Sequence, residues 1–509
     1  MFFGQTVFEN HLDFGRIGKM AGLLLWLTLA TLNPGETPTW SKEVAPIVYK
    51  HCVGCHRTGS VGPFDFISYK DVSRRAKFLG ELVANNRMPP WKPELGHGAF
   101  KDEMRLSEKE KGTIAAWVAG GAPEGDPKDL PPEPTYAKGW KLGTPDKVIT
   151  MPKPFDVPAE GKDIYQCFVI PLNLTQDESV IAVEFQPGNA KVVHHAILFL
   201  DHNQNGRRKM DPKTQSYQSF GGPGIVPTGG LGAWAPGARP MMLPEGTGRY
   251  LKKESDLVLQ IHYHPSGKPE TDQSRLAIYY AKTPTKQYVG AVALRSRTLV
   301  IPAGESQHAV EVKTIPLPVD VTAIGIFPHM HLIGKEIKVD AQLPDGKEIP
   351  LIWIRDWDFN WQGSYSYKEP IDLPAGTVLK MKAIYNNSVS NPRNPSHPPK
   401  VVTWGEETND EMCLCGVQVI TKTKEEMKKI IRMPSGMIGM ILGGGGVPET
   451  AEEIADAKKN RTKIIVQTLL SEYDQNGDGL LSKEELTQLP KESRDRAMLF
   501  LRIMGKLKD

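Results

Sequence analysis

The sequence predicts a multidomain chain: an all-α domain, two successive all-β antiparallel sandwiches of jelly-roll-like type, and an α-helical tail. Three observations predict this. At 509 residues the chain exceeds what one core organises, since domains run to about 150 residues. The hydrophobic period changes from helical to two beyond residue 150, and the strand pattern ends near Val419. Stretches rich in Pro and Gly separate the regions. Composition fits, because 24% charged and 39% hydrophobic residues describe a globular chain rather than a disordered or many-span one. The net charge of +3, from 62 basic and 59 acidic residues, leaves no electrostatic footprint for nucleic acid.

Residues 1–36 hold the one long apolar run, Ala21 to Leu32, behind Arg16 and Lys19. It is shorter than the ~20 residues of a membrane span and reads as a signal-peptide core. A retained membrane anchor is the alternative, because no small-x-small cleavage site precedes Thr37. The expectation is an exported protein, periplasmic or on the outer envelope. Residues 37–124 are helical in pattern, with a capping box at Ser107-x-x-Glu110 and a stop at Gly120 and Pro123. Residues 125–148 are Pro-rich and read as a linker. Residues 149–285 and 286–425 are expected to form the two sandwiches. Strand-like runs there include Val180 to Phe185, Val192 to Leu200, Leu257 to Tyr263, Ala323 to Pro328 and Leu379 to Tyr385. The tail, 426–509, has a hinge at Gly443 to Gly446 and a helix-like stretch from Ala451 to Tyr473.

Five cysteines give no disulfide scaffold, because two sit in Cys52-Val53-Gly54-Cys55-His56. That spacing lets two thiols add to the haem vinyl groups while the adjoining imidazole reaches iron. Met88, in Met88-Pro89-Pro90-Trp91, supplies a thioether as the second axial ligand, which raises a haem potential. A dithiol redox motif or half a zinc site would need a βαβ setting or a second Cys pair, and neither is present. Residues Ser41 to Gly121 resemble class I cytochromes c. His51 and His97 read as surface or outer-shell residues.

Histidine is sparse, at thirteen, yet six are concentrated in His194-His195, His262-x-His264 and His329-x-His331. Residues two apart on a strand share a face, so His329 and His331 can grip one ion. Imidazole with thioether favours copper. Adjacent residues on a regular strand point to opposite faces, so His194 and His195 require a bulge or a strand end if both hold one metal. The aromatic stripe Trp353, Trp357, Phe359 and Trp361 reads as core.

In order along the chain, the segments KVVHHAILFL, GAWAPGARPMMLPEG, LVLQIHYHPSG, FPHMHLIGK and NDEMCLCG resemble the motifs of the copper type II, ascorbate-dependent monooxygenases. This family includes peptidylglycine alpha-hydroxylating and dopamine beta-monooxygenases, and the resemblance covers about Met151 to Val419. It implies that His194, His195 and His262 hold an electron-transfer copper, while His329, His331 and Met412 hold the copper that binds dioxygen. Phe327 stands where the peptide-processing members carry an Arg for the substrate carboxylate, and Leu414 and Gly416 replace other substrate contacts. A peptide C-terminus is therefore not the expected substrate. Cys413 matches a disulfide cysteine of those enzymes, but its partner position is Ala383, so the bridge is not expected. His264 is an extra imidazole on the face of His262 that could replace or supplement that ligand; the favoured reading is a solvent-exposed residue.

The loop Asp474-x-Asn476-x-Asp478-Gly479-Leu480-x-Ser482-x-x-Glu485 fits a twelve-residue EF-hand: oxygen donors at one, three, five, nine and twelve, glycine at six, and a carbonyl at seven. One such loop suits a structural calcium clip better than a two-hand sensor. Taken together, the expectation is a copper monooxygenase that hydroxylates a C–H bond of a small-molecule substrate with dioxygen. An external donor would supply electrons through covalent haem c, then one copper, then the oxygen-binding copper. The alternative is an exported haem and copper electron-transfer or copper-binding protein that hydroxylates nothing.

Overall fold

A computed structural model describes residues 37–433 apart from 59, 61, 136–138, 221, 237, 297 and 406, and then 466, 469–470, 473–474, 476–489, 494, 497–498, 501–502 and 505–508. The N-terminal apolar run, the Gly443 to Gly446 hinge and most of the stretch from Ala451 to Tyr473 lie outside the described residues. Among the described residues no helix is long and apolar enough to cross a membrane. The chain divides into two compact units, Met1–Pro89 with Arg105–Pro134, and Pro90–Met104 with Thr135–Asp509.

The regular structure of the first unit is helical: α1 (Ala45–His51), α2 (Tyr69–Ser73), α3 (Ala76–Ala84) and α4 (Glu108–Ala119), with a π-helical turn at Trp40–Val44. The capping box at the start of α4 is formed, Glu110 N donating to Ser107 Oγ at 3.2 Å and Ser107 N to Glu110 Oε2 at 2.7 Å. Just past its end, Gly121 adopts φ +87°, a conformation that favours glycine. Trp40 and Trp117 are buried with ring centroids 6.4 Å apart. The Trp117 indole N–H donates to Pro123 O, so the ring is buried without an unpaired donor.

The stretch 37–124 is shared between the two units, because Pro90–Met104 packs in the second. There Glu94 N donates to Trp353 O and Lys101 N to Ser366 O. Phe100 is buried against Tyr365 and Tyr367, and Trp91 meets Tyr365 edge-on. The Pro89-Pro90 pair cannot continue a helix; of the aromatic rings that follow, Phe100 is buried in the β core of this unit and Trp91 packs partly buried against it.

The second unit is built from β1 (Lys147–Thr150), β2 (Phe155–Val157), β3 (Ile164–Pro171), β4 (Glu178–Gln186), β5 (Val193–Asp201), β6 (Ser216–Gln218), β7 (Gly229–Trp234), β8 (Thr247–Leu251), β9 (Asp256–Tyr263), β10 (Glu270–Asp272) and β11 (Arg275–Tyr280). It continues with β12 (Gln287–Ser296), β13 (Val300–Ile301), β14 (His308–Lys313), β15 (Val321–His329), β16 (Gly334–Gln342), β17 (Glu348–Ile354), β18 (Tyr365–Leu373), β19 (Val378–Tyr385), β20 (Val402–Thr403) and β21 (Cys413–Thr421). A five-stranded sheet, β6-β3-β9-β5-β7, packs on one half of an eight-stranded sheet, β1-β11-β4-β8-β12-β21-β15-β18. A four-stranded sheet, β14-β19-β16-β17, packs on the other half. The two expected sandwiches are thus joined through one sheet by a short parallel pairing of β8 with β12, Gln287 to Thr247 and Tyr288 to Gly248.

Strand β9, central in its sheet, is buried along its whole length, the polar Asp256, Gln260 and His262 included. Helix α5 (Lys424–Ile431) buries Met427 and Ile430 against the second core. It can approach because Gly290 has no side chain: a Cβ there would lie 2.6 Å from Met427 Sδ. All five cysteines are free, and Ala383 stands on β19. In the tail, Val466, Tyr473, Leu481, Leu486, Leu489, Ala497 and Leu501 form a small core of their own.

Candidate metal centre

Strands β5 and β9 pair in antiparallel register, which sets His195 opposite His262. The register shifts between Val193 and His195, so the irregularity required for adjacent ligands is present at His194. As a result three Nδ1 atoms converge: His195 Nδ1 lies 3.3 Å from that of His194 and 3.2 Å from that of His262. These three residues form a group able to hold one metal ion.

Protonation favours ligation. Asp163 Oδ2 accepts from His262 Nε2 at 2.8 Å, which leaves the lone pair on Nδ1. Asp163 Oδ1 accepts from His264 Nδ1 at 2.7 Å, and Oδ2 also accepts from Thr408 Oγ1 at 2.9 Å. Burial opposes ionisation of this carboxyl, but its bonds to His262 and His264 prevail and hold it well below the usual carboxylate range. Withdrawal from water, and then the neighbouring His262, lowers His194 to about 4; the same causes put His195 well below its ordinary value. Neutral imidazoles are what a metal requires. His264 itself is exposed and stands on the far oxygen of Asp163, outside the converging group.

The second pair comes from the end of β15. His329 is its last residue, and His331 lies in the turn beyond, so the two do not share a regular strand face as expected. Their rings are nonetheless 5.1 Å apart. Gln362 Nε2 donates to Phe359 O, which turns Oε1 toward His329 to accept from its Nδ1. His331 Nδ1 donates to Asp410 O at 3.1 Å. Both rings are therefore left with Nε2 for a ligand. Burial lowers His329 to about 4, and burial followed by His329 lowers His331 to about 3.

Met412 is tied to this pair through its backbone. The buried Glu411 side chain accepts from His331 N and Met412 N on Oε2, and from Ile333 N and Gly334 N on Oε1, at 2.8 to 3.1 Å. Tyr385 OH donates to Met412 O.

Phe359 is not part of a strand stripe. β17 ends at Ile354, and the turn that follows carries the Phe359 ring to 5.1 Å from His194 and 5.5 Å from His331. Asp163, Gln362, Glu411 and Phe359 are the site residues that spacing and composition did not single out for this role. Glu411 stood beside Met412 in the NDEMCLCG motif, and that position was its one signal.

In the helical unit, Cys52 caps α1, and Cys55 N and His56 N both donate to Cys52 O, making a tight turn. Burial, followed by the neighbouring Cys55, pushes the Cys52 thiol up to about 12. His56 Nδ1 donates to Phe64 O at 3.2 Å, again leaving Nε2, and the ring stacks on Phe64 and Phe66. Met88 is half-buried beyond α3, and no described contact joins it to His56. His51 pairs with Glu110, while His97 packs on Trp353 in the second unit.

At the tail loop, Asp474 Oδ2 accepts from Gly479 N, Asn476 Oδ1 from Asp478 N and Asp478 Oδ1 from Leu480 N. Glu485 Oε2 accepts from Ser482 N and Oγ, and Lys508 Nζ lies 2.8 Å from Asp478 Oδ2. Leu481 bridges to Leu507.

Converging imidazoles on paired β strands and at a strand end, with Met412 tied to the second pair through its backbone, make this a β protein with a candidate metal centre. No protein-family model matches the chain. It is 26% identical over 310 residues to human DBH-like monooxygenase protein 1, covering 54% of this chain and 49% of that one. It is 23% identical over 278 residues to the Xenopus laevis peptidyl-glycine alpha-amidating monooxygenase A, covering 53% of this chain and 28% of that one. The chain thus spans about half or less of the relatives it matches. The likeness supports a distant relationship to the copper monooxygenase family. Solved structures such as the bacteriophage PM2 capsid protein P2, with TM-score 0.21, 12% identity and coverage of 55% of this chain and 98% of that one, are too loosely similar to carry an argument.

Proposed function

We propose that the chain is a copper-dependent monooxygenase that hydroxylates a C–H bond of a small-molecule substrate with dioxygen. One observation carries the reading: three Nδ1 atoms converge on one point, while a second imidazole pair has its Nδ1 positions occupied and its Nε2 positions left for a metal. His194, His195 and His262 would hold one copper; His329, His331 and Met412 would hold the other, with the thioether favouring Cu(I). Copper supplies one-electron cycling and activation of dioxygen. The chain orients its imidazoles through Asp163, Gln362 and the Asp410 carbonyl. Phe327 covers Gly416, where a Cβ would fall 1.9 Å from the ring, so the surface two residues before His329 is aromatic and uncharged. A substrate without a carboxylate at that place suits it.

An external donor would reach the site through the helical unit. Cys52 and Cys55 would carry a covalent haem c, with His56 and Met88 as axial ligands, and the haem would pass single electrons. The N-terminal apolar run would direct export to the periplasm or outer envelope, or anchor the chain there. The Asp474, Asn476, Asp478, Leu480, Ser482 and Glu485 loop would hold one calcium as a clip for the tail. Calorimetric titration of the full chain with calcium should show one site that disappears in Glu485→Ala; no heat in the unmodified chain would refute it.

The main test measures copper per chain and substrate-dependent oxygen uptake, with labelled dioxygen traced into product. Two coppers, label in the product and haem retained on the denatured chain are the expected results. Two coppers with no incorporation under any candidate substrate would make the chain an electron carrier.

A further inference from the structure

Among the described residues, Phe359 is the one ring that packs against a histidine of both imidazole groups, at 5.1 Å from His194 and 5.5 Å from His331. It is 9% exposed. Its position is fixed by the same bonds that orient the second pair. Gln362 donates to Phe359 O and accepts from His329, while Trp357, two residues earlier, donates its indole N–H to His331 O at 3.1 Å. Arg393 in turn donates to Trp357 O and pairs with Asp356. The turn 356–362 is therefore tied to both histidines of the second pair, and it presents one apolar ring to the first group.

We propose that Phe359 is a positioning residue that keeps the two imidazole groups apart as separate metal sites. The proposal rests on the two-copper reading above. Five imidazoles near one another are a hazard for a two-metal protein, because each ion prefers as many of them as its geometry accepts. A packed ring between the groups prevents this: it has no donor or acceptor for either ion, excludes water that could bridge them, and cannot collapse in a close-packed interior. Removing it would open space between His194 and His331, which the rings or a bridging water would fill.

The readout is the electron paramagnetic resonance of the copper(II)-loaded full chain, together with copper per chain. The unmodified chain should bind two coppers and give two isolated, uncoupled signals. Phe359→Ala should lose most of that isolated signal, either because the two ions become magnetically coupled or because one ion is shared and copper falls toward one per chain. Phe359→Leu, which fills most of the space with no polar atom, should restore the two isolated signals. If Phe359→Ala folds poorly, Phe359→Val, shorter than Leu but apolar, takes its place with the same expectation. An Ala or Val variant that binds two coppers with unchanged isolated signals would overturn the proposal. An unmodified chain that binds fewer than two coppers would instead overturn the reading on which it rests, so the two failures are distinguishable.

Discussion

Replacing His195 with Ala is expected to strip the three-imidazole site of copper, leave the His329 and His331 copper in place, and abolish sustained turnover. His195 Nδ1 is the middle atom of the three, within 3.3 Å of both others. Its loss leaves His194 and His262 with no common neighbour on the register pair that holds them. Loss of an outer-shell partner costs a metal site roughly 10–100-fold, so loss of the central ligand should cost more. Copper should fall from two to one per chain, and substrate-dependent oxygen uptake should drop by more than about 100-fold. Met412→Ala should act on the other site: without the thioether, Cu(I) beside His329 and His331 is held less tightly, and hydroxylation fails while the first copper still exchanges electrons. Mass spectrometry of copper per chain and single-turnover rates for both variants check this. A His195→Ala protein that keeps both coppers, or turns over at the native rate, would sink the division of sites.

The candidate histidines were legible in the sequence because they are rare and clustered, although His331 lies beyond the end of β15 and not on the strand face its spacing suggested. The irregularity at His194 was legible too, as a bulge or a strand end, since the pleat forbids two neighbours from facing one ion on a regular strand; the register shift between Val193 and His195 is that irregularity. What fixes those rings was not. Asp163 reaches His262 across 99 positions and Gln362 reaches His329 across 33, and no local rule couples residues at such separations. Phe359 looked like one tooth of a buried aromatic stripe because Trp353, Trp357 and Trp361 share its spacing. The backbone leaves the strand at Ile354, so the period of two has no physical meaning beyond it. The departure of Pro90–Met104 from the helical unit was hidden for a similar reason, because short segments that add to another unit's core carry no period of their own. The joining of the two sandwiches rests on only two residues of parallel pairing, below what any pattern can signal.

Glu411→Ala should cause the largest loss of stability among the site variants, and it should weaken copper at the second site without touching any of the side chains proposed to hold it. The carboxylate is fully buried and accepts four backbone N–H bonds, from His331, Ile333, Gly334 and Met412. Burial pushes the Glu411 carboxyl up to about 8, against the pull of those four donors toward the ionised form. Truncation leaves the donors facing a cavity. An unsatisfied buried group costs about 1–3 kcal/mol, and partial recovery by water and relaxation brings the total to about 2–5 kcal/mol. At ~2–4 °C per kcal/mol for a large domain, the melting midpoint should fall by about 4–20 °C. The turn carrying His331 would lose its anchor to the segment that carries Met412, just ahead of β21, so the second copper should be weakened while the three-imidazole site, held by β5 and β9, keeps its own. Glu411→Gln separates the two effects: it retains one acceptor oxygen but turns an amide N–H toward donors, so it should melt between the native protein and Glu411→Ala. Thermal unfolding and copper per chain, measured on both variants, decide the matter. An Ala variant with a native midpoint and two coppers would mean that the four N–H groups find other partners and that Glu411 does not hold the site together.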